Sequence, residues 1–61
     1  MDKEYLQKQY HLSVLEYKTA HTEDAQWQAR GQMARIERTA LELFGDDFLN
    51  EIQEENGLEM Y

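Results

Sequence analysis

The sequence predicts an all-α protein, and three observations support that prediction. Proline is absent and glycine occurs only at Gly31, Gly45 and Gly57, so few residues interrupt a helix. Strong helix formers such as Glu, Gln, Ala and Leu are common. Apolar residues recur three and four positions apart, which places them on one side of a helix. We predict an antiparallel hairpin of two helices followed by a short third helix.

Helix 1 is predicted from about residue 3 to about residue 20. Its main apolar stripe consists of Leu6, Tyr10, Val14 and Tyr17. Leu12 and Leu15 fall roughly opposite that stripe, so the helix is apolar on two sides. The alternative is a β-strand over residues 10–14, where apolar and polar residues alternate, but no turn residues flank that segment.

Thr22 is the clearest helix start signal in the chain. Its hydroxyl can cap a helix whose first turn carries Glu23 and Asp24, two anions at the positive end of the helix dipole. Helix 2 is therefore predicted from about residue 23 to residue 44. The short connection before it would fold helices 1 and 2 into the hairpin.

Helix 2 carries two apolar lines. The first has the 4-3-4-3 spacing of a coiled-coil seam and consists of Ala29, Met33, Ile36, Ala40 and Leu43. The second recurs every seven residues and consists of Trp27, Ala34 and Leu41. A helix with two apolar lines needs a neighbouring helix on each of those sides. We therefore expect either a pair of hairpins in a dimeric helical bundle or a third helix that packs back against the hairpin.

Helix 3 is predicted from about residue 47 to residue 56. Gly45 is expected in the left-handed conformation that ends helix 2, and Asp46 or Asp47 is expected to cap helix 3. The apolar residues Phe48, Leu49 and Ile52 would share one side of it. Residues 57–61 are expected to form a frayed tail.

The chain length predicts a single small domain over residues 1–61 that is marginally stable alone. The chain has no cysteine, so a disulfide cannot compensate for the small core, and we expect a homodimer. No apolar run follows Met1 and none is longer than two residues, so we expect a cytoplasmic protein without a membrane partner.

The net charge of −7 arises entirely after Arg38, since the charges before that point cancel. A surface of one sign attracts basic proteins and repels nucleic acid. The alternative is that these acids only aid solubility. The predicted binding surface for a basic protein consists of Glu42, Asp46, Asp47, Glu51, Glu54 and Glu55.

Trp27 has two interpretations. It either fills the core of the hairpin or dimer, or it anchors a partner, because Trp is enriched among binding hot spots. Gly31, four residues later, is expected to leave a notch for the indole or for a neighbouring backbone.

No catalytic site, metal site or cofactor is predicted. Ser13 is the sole serine, and neither His11 nor His21 has a matched acid on a convincing scaffold. The acidic residues of helix 3 lack the spacing of a calcium loop. We therefore expect a protein that is not an enzyme and has no small-molecule substrate.

Arg30, Arg35 and Arg38 share one side of helix 2 and are candidates for anion binding. The acidic net charge argues against nucleic acid as the ligand, and Glu42 can pair with Arg38. The first functional hypothesis is a small accessory protein, an adaptor or inhibitor that binds a basic protein. A nucleic-acid regulator and a structural component of a larger assembly are the alternatives.

Overall fold

The computed structural model describes residues 2–57, which form three α-helices: α1 (Lys3–Thr19), α2 (Glu23–Phe44) and α3 (Asp46–Glu55). The described residues contain no strand, so the all-α prediction is confirmed and the strand alternative over residues 10–14 is wrong. Each helix end lies within one residue of its predicted position. The predicted tail, 57–61, lies outside the described residues except for Gly57, which is in a turn.

Side-chain caps begin the first two helices. The Asp2 carboxylate accepts a hydrogen bond from the Tyr5 amide at 2.8 Å, and the Thr22 hydroxyl accepts one from the Ala25 amide at 3.1 Å. Each cap satisfies one of the amides that the first turn of a helix leaves without a backbone partner. The predicted Thr22 cap is confirmed, whereas the Asp2 cap was not predicted.

Gly45 alone connects α2 to α3. Its amide donates to the Leu41 carbonyl at 3.0 Å and its carbonyl accepts from the Leu49 amide at 3.3 Å. Its φ of 87° and ψ of −178° are extended rather than left-handed helical, in a region that only glycine occupies readily. The predicted left-handed φ of a glycine that ends α2 is therefore confirmed, whereas its ψ differs from that of a left-handed helix.

Asp46 and Asp47 do not cap α3, contrary to the prediction. Both lie in its first turn, and Gly45 occupies the cap position without a side-chain hydrogen bond. The carboxylates still lie at the positive end of the helix dipole, where a negative charge is favourable.

All three helices contribute to one core. Its buried members are Leu6, Tyr10 and Val14 from α1, Met33 and Ala40 from α2, and Phe48 and Ile52 from α3. Ala29 is also buried, and the partly buried Tyr17, Ile36, Phe44 and Leu49 complete the packing. The core therefore contains most of the predicted seam together with the apolar side of α3.

Leu43 is the predicted seam residue that the single chain does not bury. It is 55% exposed, and Phe44 packs against the core in its place. The Phe44 and Phe48 rings meet edge to face with centroids 5.1 Å apart. The end of α2 thus directs Phe44 towards α3, which leaves Leu43 outside.

The second apolar line of α2 stays in solvent. Trp27 is 75% exposed, so it is not part of the core of this chain. Neither the indole nor another described residue of this chain occupies the predicted notch at Gly31, because a Cβ added there would meet nothing within 4 Å. Leu41, Leu12 and Leu15 are exposed as well. Over residues 2–57, no helix is long and apolar enough to cross a membrane.

Two glycine substitutions should have opposite effects on stability. Gly45→Ala places a Cβ on a residue with φ of 87° and should lower the free energy of unfolding by about 1–3 kcal/mol. Gly31→Ala should raise it by roughly 0.5–1 kcal/mol, because Gly31 lies inside α2 with open space around it. Urea unfolding followed by circular dichroism measures both values, and effects of the same sign would contradict this account.

Candidate functional site

A hydrogen-bond network around Glu37 joins the three helices. The Tyr10 hydroxyl of α1 donates to Glu37 Oε2 at 2.6 Å, and Gln53 Nε2 of α3 donates to the same oxygen at 3.4 Å. Arg30, two turns earlier on the same side of α2, forms an ion pair with Glu37 Oε1 at 3.5 Å. Within residues 2–57 every buried side-chain nitrogen or oxygen has a hydrogen-bond partner. The network fixes the position of α3 relative to α1 and α2.

Tyr10 is the buried donor of this network. Its side chain is fully buried, and that burial, followed by the hydrogen bond and charge of Glu37, raises the pKa of Tyr10 far above its ordinary value. The hydroxyl therefore remains protonated and donates to the carboxylate. Tyr10 and Glu37 have a structural role, because the Tyr10 hydroxyl and the Glu37 carboxylate hydrogen-bond to each other within the fold.

The outer side of α3 is acidic. Phe48, Ile52 and Gln53 face the core, so the helical period places the acidic residues in solvent. We call this surface the acidic face of α3; it consists of Asp46, Asp47, Glu51, Glu54 and Glu55. All five are exposed, and none forms an ion pair with another described residue.

Glu42 differs from the other predicted acidic residues. It lies on α2 and accepts a hydrogen bond from Arg38 Nε at 3.1 Å, which confirms the predicted pairing. Its charge is therefore partly neutralised, and it does not belong to the acidic face of α3.

Cationic residues of α1 lie at both ends of α3. The Lys3 ammonium lies 5.4 Å from the Phe44 ring centroid and 5.5 Å from that of Phe48. At the other end, Lys18 Nζ donates to the Asn56 carbonyl at 3.4 Å, and His11 Nδ1 lies 2.8 Å from Asn56 Oδ1. These contacts hold the inner side of α3 and leave its outer side free. Sequence spacing does not predict these contacts, because the partners are far apart in the chain.

The three arginines of α2 do not form a free cationic patch. Arg30 pairs with Glu37 and Arg38 pairs with Glu42, whereas Arg35 has no ion pair with another described residue. Two of the three candidates for anion binding are thus already engaged.

Trp27 lies apart from the acidic face of α3. A shallow groove at the start of α2 is lined by Tyr17, Glu23, Gln26, Trp27 and Arg30, and no described residue of α3 contributes to it. The structure therefore does not bring the two parts of the predicted partner-binding surface into one pocket.

The potential catalytic residues have ordinary contacts. The Ser13 hydroxyl donates to the Gln9 carbonyl at 3.0 Å and lies 3.5 Å from Gln32 Oε1. His11 contacts Asn56 rather than Ser13. Between residues 2 and 57 there is no group of three or more His, Asp or Glu side chains arranged to hold a metal ion.

Tyr10→Phe should destabilise the fold and change its response to alkali. Loss of the hydrogen bond to a largely buried carboxylate should lower the free energy of unfolding by about 1–3 kcal/mol at neutral pH. The folded-state pKa of Tyr10 is raised, so its contribution is complete below about pH 10 and is lost as the pH rises further, when the unfolded chain ionises. Because Phe cannot ionise, Tyr10→Phe should lack this part of the loss of folding stability at alkaline pH.

Tyr5→Phe is the matched control, because Tyr5 lies on the same helix and is half exposed. It should change the free energy of unfolding by less than about 0.5 kcal/mol. Urea unfolding of both variants at neutral pH and at about pH 10.5 makes the comparison. Equal stability of the two variants would contradict the assigned role of Tyr10.

Comparison with known proteins found no matching protein family, no matching curated protein and no matching solved structure. A functional assignment for this chain therefore has to rest on its own surface, and the acidic face of α3 is the strongest feature of that surface.

Proposed function

We propose that this protein is a non-enzymatic interaction module, an adaptor or inhibitor, that binds a basic protein surface through the acidic face of α3. One observation supports the proposal most directly. Five exposed carboxylates lie on one ten-residue helix, and no described cation pairs with them. Their charge is available to a partner.

The attachment of α3 makes that surface suitable for binding. Phe48 and Ile52 are buried in the core, and Gln53 donates to Glu37. The carboxylates are therefore carried by a helix that is anchored on its inner side. Anchoring lowers the conformational entropy that a partner must remove on binding.

The mechanism is electrostatic attraction followed by steric masking. Opposite charges accelerate encounter and orient the partner, and both effects weaken as salt screens the charges. A basic surface covered by this module would be closed to its other ligands. The competing ligands with the closest chemistry are anionic, such as nucleic acid.

Trp27 is proposed as a separate apolar contact. Its exposure of 75% gives it area to bury, and Trp is frequent among residues that contribute most to binding. Because no described α3 residue shares its groove, a partner that uses both surfaces must extend across the chain.

We also propose that α1 and α2 form an antiparallel hairpin and that two copies associate as a homodimer. The contacts of Tyr10 with Glu37 and of Ser13 with Gln32 support the hairpin, since the α1 number rises while the α2 number falls. A three-residue connection, 20–22, has the length expected of such a hairpin. The exposed leucines support self-association, because a chain this small benefits from further apolar burial.

A nucleic-acid regulator is less well supported as a function. The residues expected to bind nucleic acid were Arg30, Arg35 and Arg38. Two of these three arginines already have carboxylate partners within the chain. The net charge of −7 also opposes approach to a polyanion.

Charge reversal on α3 tests the proposal. The triple variant Glu51→Lys, Glu54→Lys and Glu55→Lys should bind a fluorescent oligolysine peptide at least about tenfold more weakly than the unaltered chain, because exposed ion pairs contribute up to about 1 kcal/mol each. Fluorescence anisotropy at low salt measures the affinity.

A second triple variant is the control for net charge. Its substitutions fall on exposed acids outside α3 and outside the Trp27 groove, and they are Glu4→Lys, Glu16→Lys and Asp24→Lys. Both variants gain the same charge, so the control should retain most of the affinity if binding is local to α3. Equal losses in the two variants would mean that net charge alone governs binding, and the proposal would be abandoned.

A further inference from the structure

The pair of helices α1 and α2 is covered by α3 on one side only. On the other side they border a groove to which no described residue of α3 contributes. We call this side the open face. Its groove is lined by, among others, Tyr5, Gln9 and Ser13 of α1 and Gln32, Ile36 and Thr39 of α2.

Exposed leucines flank the open face. Leu43 follows Thr39 by four residues and Ile36 by seven, so it lies on the same side of α2 and is 55% exposed. Leu12 follows Gln9 by three residues and Tyr5 by seven, so it lies on the same side of α1 and is 45% exposed. The open face thus combines polar and apolar side chains, and non-obligate protein interfaces are mixed in the same way.

The charge distribution favours a second copy of this chain as the occupant. Among the described residues that line the groove there is no acidic side chain, and Arg35 is the one charged residue. The acidic face of α3 points outward from a helix of which no described residue lines the groove. Two copies can therefore meet at their open faces without bringing their acidic clusters together, whereas a basic partner is attracted to α3 instead.

The size of the molecule is also compatible with a dimer interface on one side. The chain is a flat body with extents of 32, 25 and 15 Å. A rectangle of 32 by 25 Å encloses its broadest projection and has an area of about 800 Å², the same order as the roughly 800 Å² of accessible surface that each partner buries in a standard interface. An interface of that class is compatible with the size of the chain.

We propose that two copies of this chain pack through their open faces about a two-fold axis. The α1 and α2 helices of both copies form the inner four-helix layer, and each α3 lies outside. Leu43, which one chain leaves exposed, is buried in this dimer together with Leu12. The inference specifies the homodimer proposed above and depends on it. It gives a particle that presents two acidic faces, so binding to a repeated basic surface gains from two attachments.

Matched leucine substitutions test the interface. Leu43→Glu places a charge on the open face, whereas Leu41→Glu places the same charge on α2 outside it, at a leucine that is 42% exposed. Sedimentation equilibrium of the full chain over a wide concentration range should give a dimer for the unaltered chain and for Leu41→Glu. Leu43→Glu should raise the dissociation constant at least about tenfold, which corresponds to about 1.4 kcal/mol.

Leu12→Glu and Leu15→Glu repeat the comparison on α1, where both leucines are 45% exposed. Only Leu12→Glu should weaken the dimer. Circular dichroism of each variant checks that the helices remain, so a loss of dimer is not confused with unfolding. A monomer at all concentrations, or a dimer that Leu41→Glu weakens as much as Leu43→Glu does, would overturn the inference.

Oligolysine binding by folded Leu43→Glu separates this inference from the proposed function. A monomer that still binds one oligolysine peptide through α3 supports both. A dimer that depends on Leu43 but does not bind oligolysine supports the interface and overturns the proposed function alone.

Discussion

The architecture depends on the carboxylate of Glu37, which is where the three helices meet. Tyr10 and Gln53 reach it from α1 and α3, and Arg30 balances its charge from α2. A largely buried carboxylate is costly unless it is paired and hydrogen-bonded. Each helix therefore has to supply its donor for the core to form without an unsatisfied charge. Apolar packing alone would permit several arrangements of these short helices, and the donors to Glu37 favour one of them.

The hydrogen bond from Gln53 to Glu37 helps to position α3, and the position of α3 determines which surfaces of the molecule are acidic and which are uncovered. Once Gln53 reaches Glu37 and Phe48 packs on Phe44, α3 covers one side of the α1 and α2 pair. Its acidic residues then face solvent, while its inner side lies near Lys3 and Lys18. The other side of the pair stays uncovered. The packing of α3 on one side thus separates its acidic face from an open face whose groove is lined by no acidic side chain of the described residues.

This separation links the two proposals. A module that recognises a basic surface by charge gains little from an extensive apolar contact, so its apolar surface is available for self-association. The small core also makes additional burial valuable, because a chain of this length retains little surplus stability. The proposed dimer meets that need on the side opposite the carboxylates, and it doubles the number of acidic faces without changing either of them.

Local sequence features were sufficient to predict the helices and their ends. Thr22 and Gly45 mark boundaries through local hydrogen bonding and local backbone freedom, which depend on a few neighbouring residues. Helical periodicity also identified most of the core, including Tyr10 and Met33, and placed the acids of α3 on one side of the helix. These features are local, so composition and spacing were sufficient to predict them.

The packing of the helices against one another sets which apolar lines are buried and which charges are paired. Leu43 and Phe44 are adjacent and both apolar, yet the side on which α3 packs buries one and exposes the other. The network around Glu37 connects residues 16 and 27 positions apart, and no local pattern encodes such a contact. Trp27 is a large apolar residue of the kind that often fills a core, yet it is 75% exposed, because the described helices leave most of its indole uncovered. The physical reason is that burial and pairing depend on which helix lies opposite, whereas helix formation depends on sequence neighbours.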